Sequence, residues 1–280
     1  MIDAHFHCWQ LVRGDYGWLT PDLTPIYRDV SVVDWQHQAQ AWDVSGGLLV
    51  QAAPTVEETK FLLQQAQDNP VVLGVVGWID MLAPDAVQQV AFFAEQPLLK
   101  GLRPMLQDLS DPDWILQPAI QPVLSAMARY GLVFDALITP VHLSRILALA
   151  QSHPDLTLVV DHGAKPVIET TAMGNWAQAM TQLAQLTDPA RVVCKMSGLW
   201  TEAPTGQSVD VVRPWCEALL AIWGPYRLLW GSDWPVLERA GTYSAWRKLT
   251  LDVLSKLSME EKKAVLGDNA QRIYRLHKDQ

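Results

Sequence analysis

The stretch DAHFH sets two imidazoles, His5 and His7, two residues apart and places Asp3 two residues before them. Side chains of an extended strand alternate between its faces, so this spacing predicts Asp3, His5 and His7 on one face. Four other apolar runs end in ionisable groups: Lys100 and Arg103 in LLKGLRP, His162 in LTLVVDH, Lys195 and Ser197 in RVVCKMS, and Asp233 in RLLWGSD. Two histidines and a carboxylate can hold a divalent metal ion, and imidazole suits zinc. A bound metal lowers the pKa of its water and polarises a carbonyl. Without metal, the same carboxylate can act as general base on water while neighbouring His, Lys and Arg stabilise the oxyanion. Both routes lead to hydrolysis of a carbonyl compound. A serine nucleophile of the G-x-S-x-G kind is absent from the sequence.

Such groups need a scaffold that brings five strand ends together. Eight runs read as strands: 2–7, 45–52, 71–79, 98–104, 131–138, 156–162, 191–197 and 227–233. Most are apolar throughout, as parallel strands buried on both faces are. Helical segments alternate with them. TVEETKFLLQQAQD opens on a capping box of Thr55 and Glu58, and SMEEKKAVLGDNAQRIYRL on a second of Ser258 and Glu261. PDAVQQVAFFAEQ carries Pro84 near its start, and SAMARYG closes on Gly131, a residue suited to the turn after a helix. Eight alternations predict an α/β protein built as a closed (β/α)8 TIM barrel, one domain over residues 1–280. The alternative, an open doubly wound sheet, would carry a glycine-rich phosphate loop after its first strand, where this chain has HCWQLVRG. The connections from residue 8 to about 33 and from 198 to about 208 are long, and both follow strand ends, where barrel enzymes build their sites.

Composition narrows the partners. The chain has 280 residues, 49% of them hydrophobic and 18% charged, with a formal net charge of −9. That charge disfavours nucleic acid and anionic membranes, which points to a small-molecule partner. The apolar runs are too short to span a bilayer, and the first residues lack a secretory pattern, so a cytoplasmic setting is expected. The three cysteines, Cys8, Cys194 and Cys216, are widely spaced and read as buried free thiols. His37, His153 and His277 read as structural, as does Lys165, while His142 in TPVHLSRI is open between a helix start and a substrate contact. Asp3 has a second reading, hydrogen bonding to backbone at the barrel's bottom. Asp161 falls on the face opposite His162, suited to pairing with a helix or a lysine. The thirteen tryptophans are a further feature. Trp9, Tyr16 and Trp18 in the first long loop, and Trp78, Trp200 and Trp234 after other strands, can stack on sugar CH faces or wall off a pocket.

Six motifs in order, DAHFHCW, KGLRPML, VVDHGAKP, VVCKMSGLWTEA, LLWGSDWPV and LGDNAQRIYRL, resemble the amidohydrolase superfamily. They are most similar to its amidohydrolase-2 branch and, within it, to sugar-lactone hydrolases of the L-fuconolactonase and L-rhamnonolactonase kind. The resemblance runs from Met1 to about Leu276 and implies a distorted (β/α)8 barrel. It implies that Asp233 takes a proton from water and passes it to the leaving oxygen, with His162 beside it as the second catalytic residue. It also implies that Lys100, Arg103 or Lys195 orients a lactone or stabilises charge. His142, Trp9 and Trp234 complete the expected substrate contacts. Two-metal members of the superfamily use a strand-five histidine, which GLVFDALI lacks. What remains is one divalent ion, zinc, on His5, His7 and Asp233, or a site that works without metal. A neutral aldonolactone suits a mixed aromatic and polar mouth. A dicarboxylate lactone bound by Arg103 and Lys195, and a metal-dependent non-oxidative decarboxylase of aromatic acids, are the alternatives. The oligomeric state is left open by the sequence.

Overall fold

The computed structural model describes residues 1–169 and 172–276, so His277 lies outside the described residues. Eight strands form one parallel sheet in sequence order: β1 (Ile2–Phe6), β2 (Gly46–Val50), β3 (Val72–Gly77), β4 (Leu99–Leu102), β5 (Val133–Ala136), β6 (Leu158–Val160), β7 (Val192–Met196) and β8 (Leu228–Trp230). The sheet closes on itself where β1 meets the chain just after β8. His7 N donates to Trp234 O and Asp233 N donates to His5 O, each at 2.8 Å. This is the expected (β/α)8 barrel. Its strands are shorter than the apolar runs, so His162 and Asp233 fall in the turns after β6 and β8 rather than on the strands themselves.

Helices α1 (Val32–Gln40), α2 (Val56–Asp68), α3 (Ala86–Ala94), α4 (Gln121–Tyr130), α5 (Leu143–Ser152), α6 (Met173–Gln185), α7 (Arg213–Trp223) and α8 (Tyr243–Val253) surround the sheet. Gly131 ends α4 in the left-handed conformation (φ 70°), as its position predicts. Thr55 caps α2 through the Glu58 N–H, but Glu58 does not reach back to close the box. Its carboxylate instead accepts the N–H groups of Ala52 and Ala53 at the end of β2. The terminal run is not one helix. It breaks into α9 (Met259–Lys263), whose capping box of Ser258 and Glu261 is complete, a wider turn, and α10 (Asn269–Ile273). Ala4, Leu48, Val50, Val76, Val133, Val159, Val193 and Leu229 fill the barrel interior, and Ala270, Ile273, Tyr274 and Leu276 join them from the last turn of the chain. The tail therefore plugs the bottom. Among the described residues no helix is long and apolar enough to cross a membrane, and all three cysteines are buried free thiols.

The alternation predicted for DAHFH is broken. The β1–β2 register shifts between Asp3 and Phe6. Ala4 packs inside the barrel, and Phe6 stacks on Trp35 of α1 at 4.0 Å. Asp3 consequently points to the helical layer and away from His5 and His7, and it is fully buried. It bonds backbone, but beside Ser232 after β8 rather than at the barrel's bottom. Its Oδ1 accepts from the N–H groups of His5 (3.2 Å) and Ser232 (2.8 Å), and its Oδ2 from Trp35 Nε1 (3.0 Å) and Tyr243 OH (3.2 Å). One carboxylate thus joins both strands of the closure to two helices. Removing it leaves buried donors without a partner, each costing ~1–3 kcal/mol. Asp3→Ala is expected to lower the unfolding free energy in urea by about 3–5 kcal/mol. A loss under about 1 kcal/mol would show that closure does not depend on Asp3.

Candidate active site

β1 carries His5 and His7 to the mouth of the barrel. His7 Nδ1 lies 2.8 Å from Val50 O. A carbonyl only accepts, so Nδ1 bears a proton. Nε2 faces His5 Nε2 at 3.2 Å and Asp233 Oδ1 at 3.2 Å. His162 Nε2 stands 3.8 Å from the same carboxylate oxygen, and its Nδ1 meets Ser197 Oγ at 2.9 Å. Three imidazoles therefore surround one oxygen of Asp233, and all four residues are almost completely buried.

Two unusual backbones aim these side chains. Asp233 has φ 58°. The turn after β6 runs through four left-handed residues, His162 (φ 53°), Gly163 (58°), Ala164 (63°) and Lys165 (46°). Left-handed geometry costs a residue with a Cβ ~1–2 kcal/mol. Packing holds the turn in place: Trp176 Nε1 donates to Gly163 O at 2.8 Å, and Lys165 Nζ pairs with Glu202 at 3.0 Å. Gly198 completes the fit. A Cβ there would sit 2.4 Å from His162 Nδ1, so only glycine lets the ring dock against the end of β7. Backbone strain of this kind gathers at functional sites.

A ladder of buried charge lies under the histidines. Lys195 Nζ is 2.5 Å from Asp135 Oδ2 and 3.0 Å from Asp161 Oδ1, while Arg103 Nη1 is 3.3 Å from Asp161 Oδ2. Lys195 also donates to His5 Nδ1 at 3.3 Å, and Arg103 Nη1 stands 3.4 Å from His5 Nε2. Burial alone would raise the Asp233 carboxyl, but His162, the hydrogen bond from His7, and His5 outweigh it and hold the group well below the usual carboxylate range. Asp233 is thus ionised at any working pH. Burial pushes His162 down to about 4 and His5 well below its ordinary value, so both rings are neutral at pH 7.

The expected residues separate into groups. His7, His162, Asp233 and Arg103 line a cavity of about 140 Å³ at the mouth, together with Trp18 and Lys165. Lys165, read from the sequence as structural, thus borders the site. Lys195 is fully buried beneath the histidines and does not line this cavity. Lys100 lies deeper along β4 with its side chain over Gly74, also outside the cavity. His142 is a helix start, its Nδ1 3.1 Å from Thr139 Oγ1, and does not border the cavity. Trp9 donates to Arg28 O (2.7 Å) and Trp234 to Glu238 Oε1 (2.8 Å); both are buried and neither borders this cavity. Trp18, whose Nε1 donates to Ala52 O at 2.7 Å, is the loop tryptophan on the mouth. Asp161 and Asp135 were missed as parts of the site. The only sequence signal for them was an aspartate inside an apolar strand run. A larger cavity, about 500 Å³, opens at the far end beside Leu73 and Leu276, but it is mainly apolar and lies away from the histidines.

The donor set suits a metal ion. His5 Nε2, His7 Nε2 and Asp233 Oδ1 lie 3.2, 3.2 and 3.6 Å apart. Ligands about 2.0–2.1 Å from a tetrahedral zinc are separated by roughly 3.3 Å. The Nδ1–H of His7 is already fixed on a carbonyl, as ligating histidines require.

Comparisons with known proteins agree with this picture. The model of the family described as Amidohydrolase matches residues 2–276. An L-fucono-1,5-lactonase of Burkholderia ambifaria is 40% identical over 98% of this chain and 95% of its own length. An L-fucono-1,5-lactonase of Burkholderia multivorans is 32% identical over 98% of this chain and 96% of its own. Among solved structures, an amidohydrolase from Burkholderia multivorans with bound zinc superposes with a TM-score of 0.92 at 32% identity, covering 99% of both chains.

Because burial lowers the pKa of His162, the unfolded chain binds the proton first on acidification. Its stabilising contribution is complete above the unfolded pKa near 6.5 and is lost as pH falls towards about 4. Asp233 and Asp161, also lowered, act in the same direction but below the ordinary carboxylate pKa, so the window between is the histidines'. Wild-type stability in urea is expected to fall by up to ~3 kcal/mol from this group between pH 7 and 4, and His162→Gln to be less acid-sensitive by that amount. Parallel curves for the two proteins would show that His162 is not held neutral.

Proposed function

The chain belongs to the amidohydrolase family, and within it we propose that the barrel mouth opens a sugar lactone, with Asp233 as the base that activates water. The observation that carries this reading is the Asp233 carboxylate, set among three histidines in a cavity at the strand ends that Arg103 also lines. Near full-length similarity to two L-fucono-1,5-lactonases supports a sugar lactone as substrate. The product is a sugar acid.

The residues divide the work. A lactone entering the mouth meets Trp18 on the wall, with Arg103 and Lys165 as cations at its polar edge. Water beside Asp233 gives up a proton to the carboxylate and its oxygen bonds to the lactone carbonyl carbon. The bond from that carbon to the ring oxygen then breaks, and Asp233 returns the proton to the departing oxygen. Arg103, tied to Asp161, supplies positive charge where the carbonyl oxygen becomes negative. His162, turned by the left-handed run and held by Ser197, keeps the Asp233 side of the cavity closed and oriented. His5, His7 and Asp233 would hold a single divalent ion, zinc, and when bound it would polarise the carbonyl and lower the pKa of water. A neutral polyol lactone is the substrate class that suits a mouth mixing an aromatic wall with polar groups.

Hydrolysis of aldonolactones, followed with a pH indicator, tests the reading. Asp233→Asn is expected to reduce kcat by about 10³-fold or more, with KM within about threefold. Unchanged turnover in that variant would remove Asp233 as the base, and carbon dioxide released from an aromatic acid, with no lactone opened, would replace the lactonase by a decarboxylase. Zinc titration is expected to give ~1 ion per chain, and none in His7→Ala. Equal zinc uptake by both proteins would place the ion elsewhere.

A further inference from the structure

Tyr274 belongs to the segment that plugs the bottom of the barrel, at the end opposite the mouth. Its hydroxyl lies 2.8 Å from both carboxylate oxygens of Asp135. Asp135 Oδ2 is 2.5 Å from Lys195 Nζ. An ammonium group has three N–H donors and no acceptor. Lys195 has three acceptors around it: Asp135 Oδ2, Asp161 Oδ1 at 3.0 Å and His5 Nδ1 at 3.3 Å. Its Nζ also rests 5.4 Å from the centre of the Tyr274 ring. Tyr274, Asp135, Lys195, Asp161 and His5 are all buried.

We propose that Tyr274 is a positioning residue for the reaction at the mouth, acting through Asp135 and Lys195 on His5 and Asp161. The proposal rests on the lactonase reading. The terminal carboxylate torsion of an aspartate is broad, and a hydroxyl shared by both oxygens fixes it. The fixed carboxylate sets the direction of one Lys195 N–H, and the other two then have only Asp161 and His5 to reach. Asp161 in turn holds Arg103 at 3.3 Å. Neither Tyr274 nor Asp135 borders the mouth cavity, so neither can contribute to holding the lactone directly. Loss of the hydroxyl therefore acts on rate and leaves affinity alone.

Tyr274→Phe removes the hydroxyl and keeps the ring that packs the barrel floor. Arg272→Ala is the control on the same helix, because Arg272 only ties it down, donating to Ala190 O and Tyr226 O at 3.3 and 3.0 Å. With the full-length protein and an aldonolactone, Tyr274→Phe is expected to lower kcat about 10-fold with KM within about twofold, since small misplacements of reacting groups are costly. Arg272→Ala is expected to lower Tm and leave kcat within about twofold. An unchanged kcat in Tyr274→Phe, or an equal loss of kcat in both variants at equal Tm, overturns the proposal. Ring nitrogen NMR of the histidines gives a readout without substrate. The His5 signals are expected to shift in Tyr274→Phe and not in Arg272→Ala, and unmoved His5 signals in Tyr274→Phe overturn it as well. Failure of the unaltered chain to open any lactone is a separate result and counts against the lactonase reading.

Discussion

Burying charge is expensive, and this barrel buries five charged groups along its axis. Asp135, Asp161 and Asp233 alternate with Lys195 and Arg103, and each is almost completely shielded from water. Each unpaired ion would cost several kcal/mol, so the arrangement survives only because nearly every group meets an opposite charge at hydrogen-bond distance. Among these five groups, three carboxylates against two cations leave one negative charge in excess. Lys195 and Arg103 are committed to Asp135 and Asp161, which leaves the excess on Asp233. That is the position where a base, or a divalent ion, is wanted.

The rest of the fold can be understood as support for that imbalance. The register shift in β1 turns Asp3 outward to bind the closure and leaves His5 and His7 facing inward. The left-handed turn after β6 and the left-handed Asp233 after β8 bring two side chains to a point that regular strand ends would miss. Trp176, Glu202 and Ser197 offset the strain from outside the site. Rigid packing beneath and around the mouth lets the site be assembled before any substrate arrives, which is the condition for electrostatic stabilisation without reorganisation.

Much of this was legible in the sequence. Buried parallel strands announce themselves as apolar runs, so the barrel and the strand ends bearing His5, His7, Arg103, His162 and Asp233 could be placed by pattern. What pattern missed has physical causes. Period-two alternation assumes a regular strand, and the bulge in β1 moved Asp3 to the other side. Lysines at strand ends look alike in sequence, yet Lys195 points down into the ladder and Lys100 lies outside the mouth. Asp161 was assigned a lysine or a helix as partner, and it did find a lysine, but the alternation rule hid its place beneath His5. The contact of Tyr274 with Asp135 joins residues 139 apart. No local pattern encodes such a pair.

The central claim is that the excess charge rests on Asp233 while Lys195 remains charged below it. Neutron diffraction from crystals grown in heavy water at pH 7 reads this directly. The account predicts no deuterium on either oxygen of Asp233 or Asp161, and three on Lys195 Nζ. A deuterium on the Asp233 carboxyl, or a neutral Lys195, would contradict it.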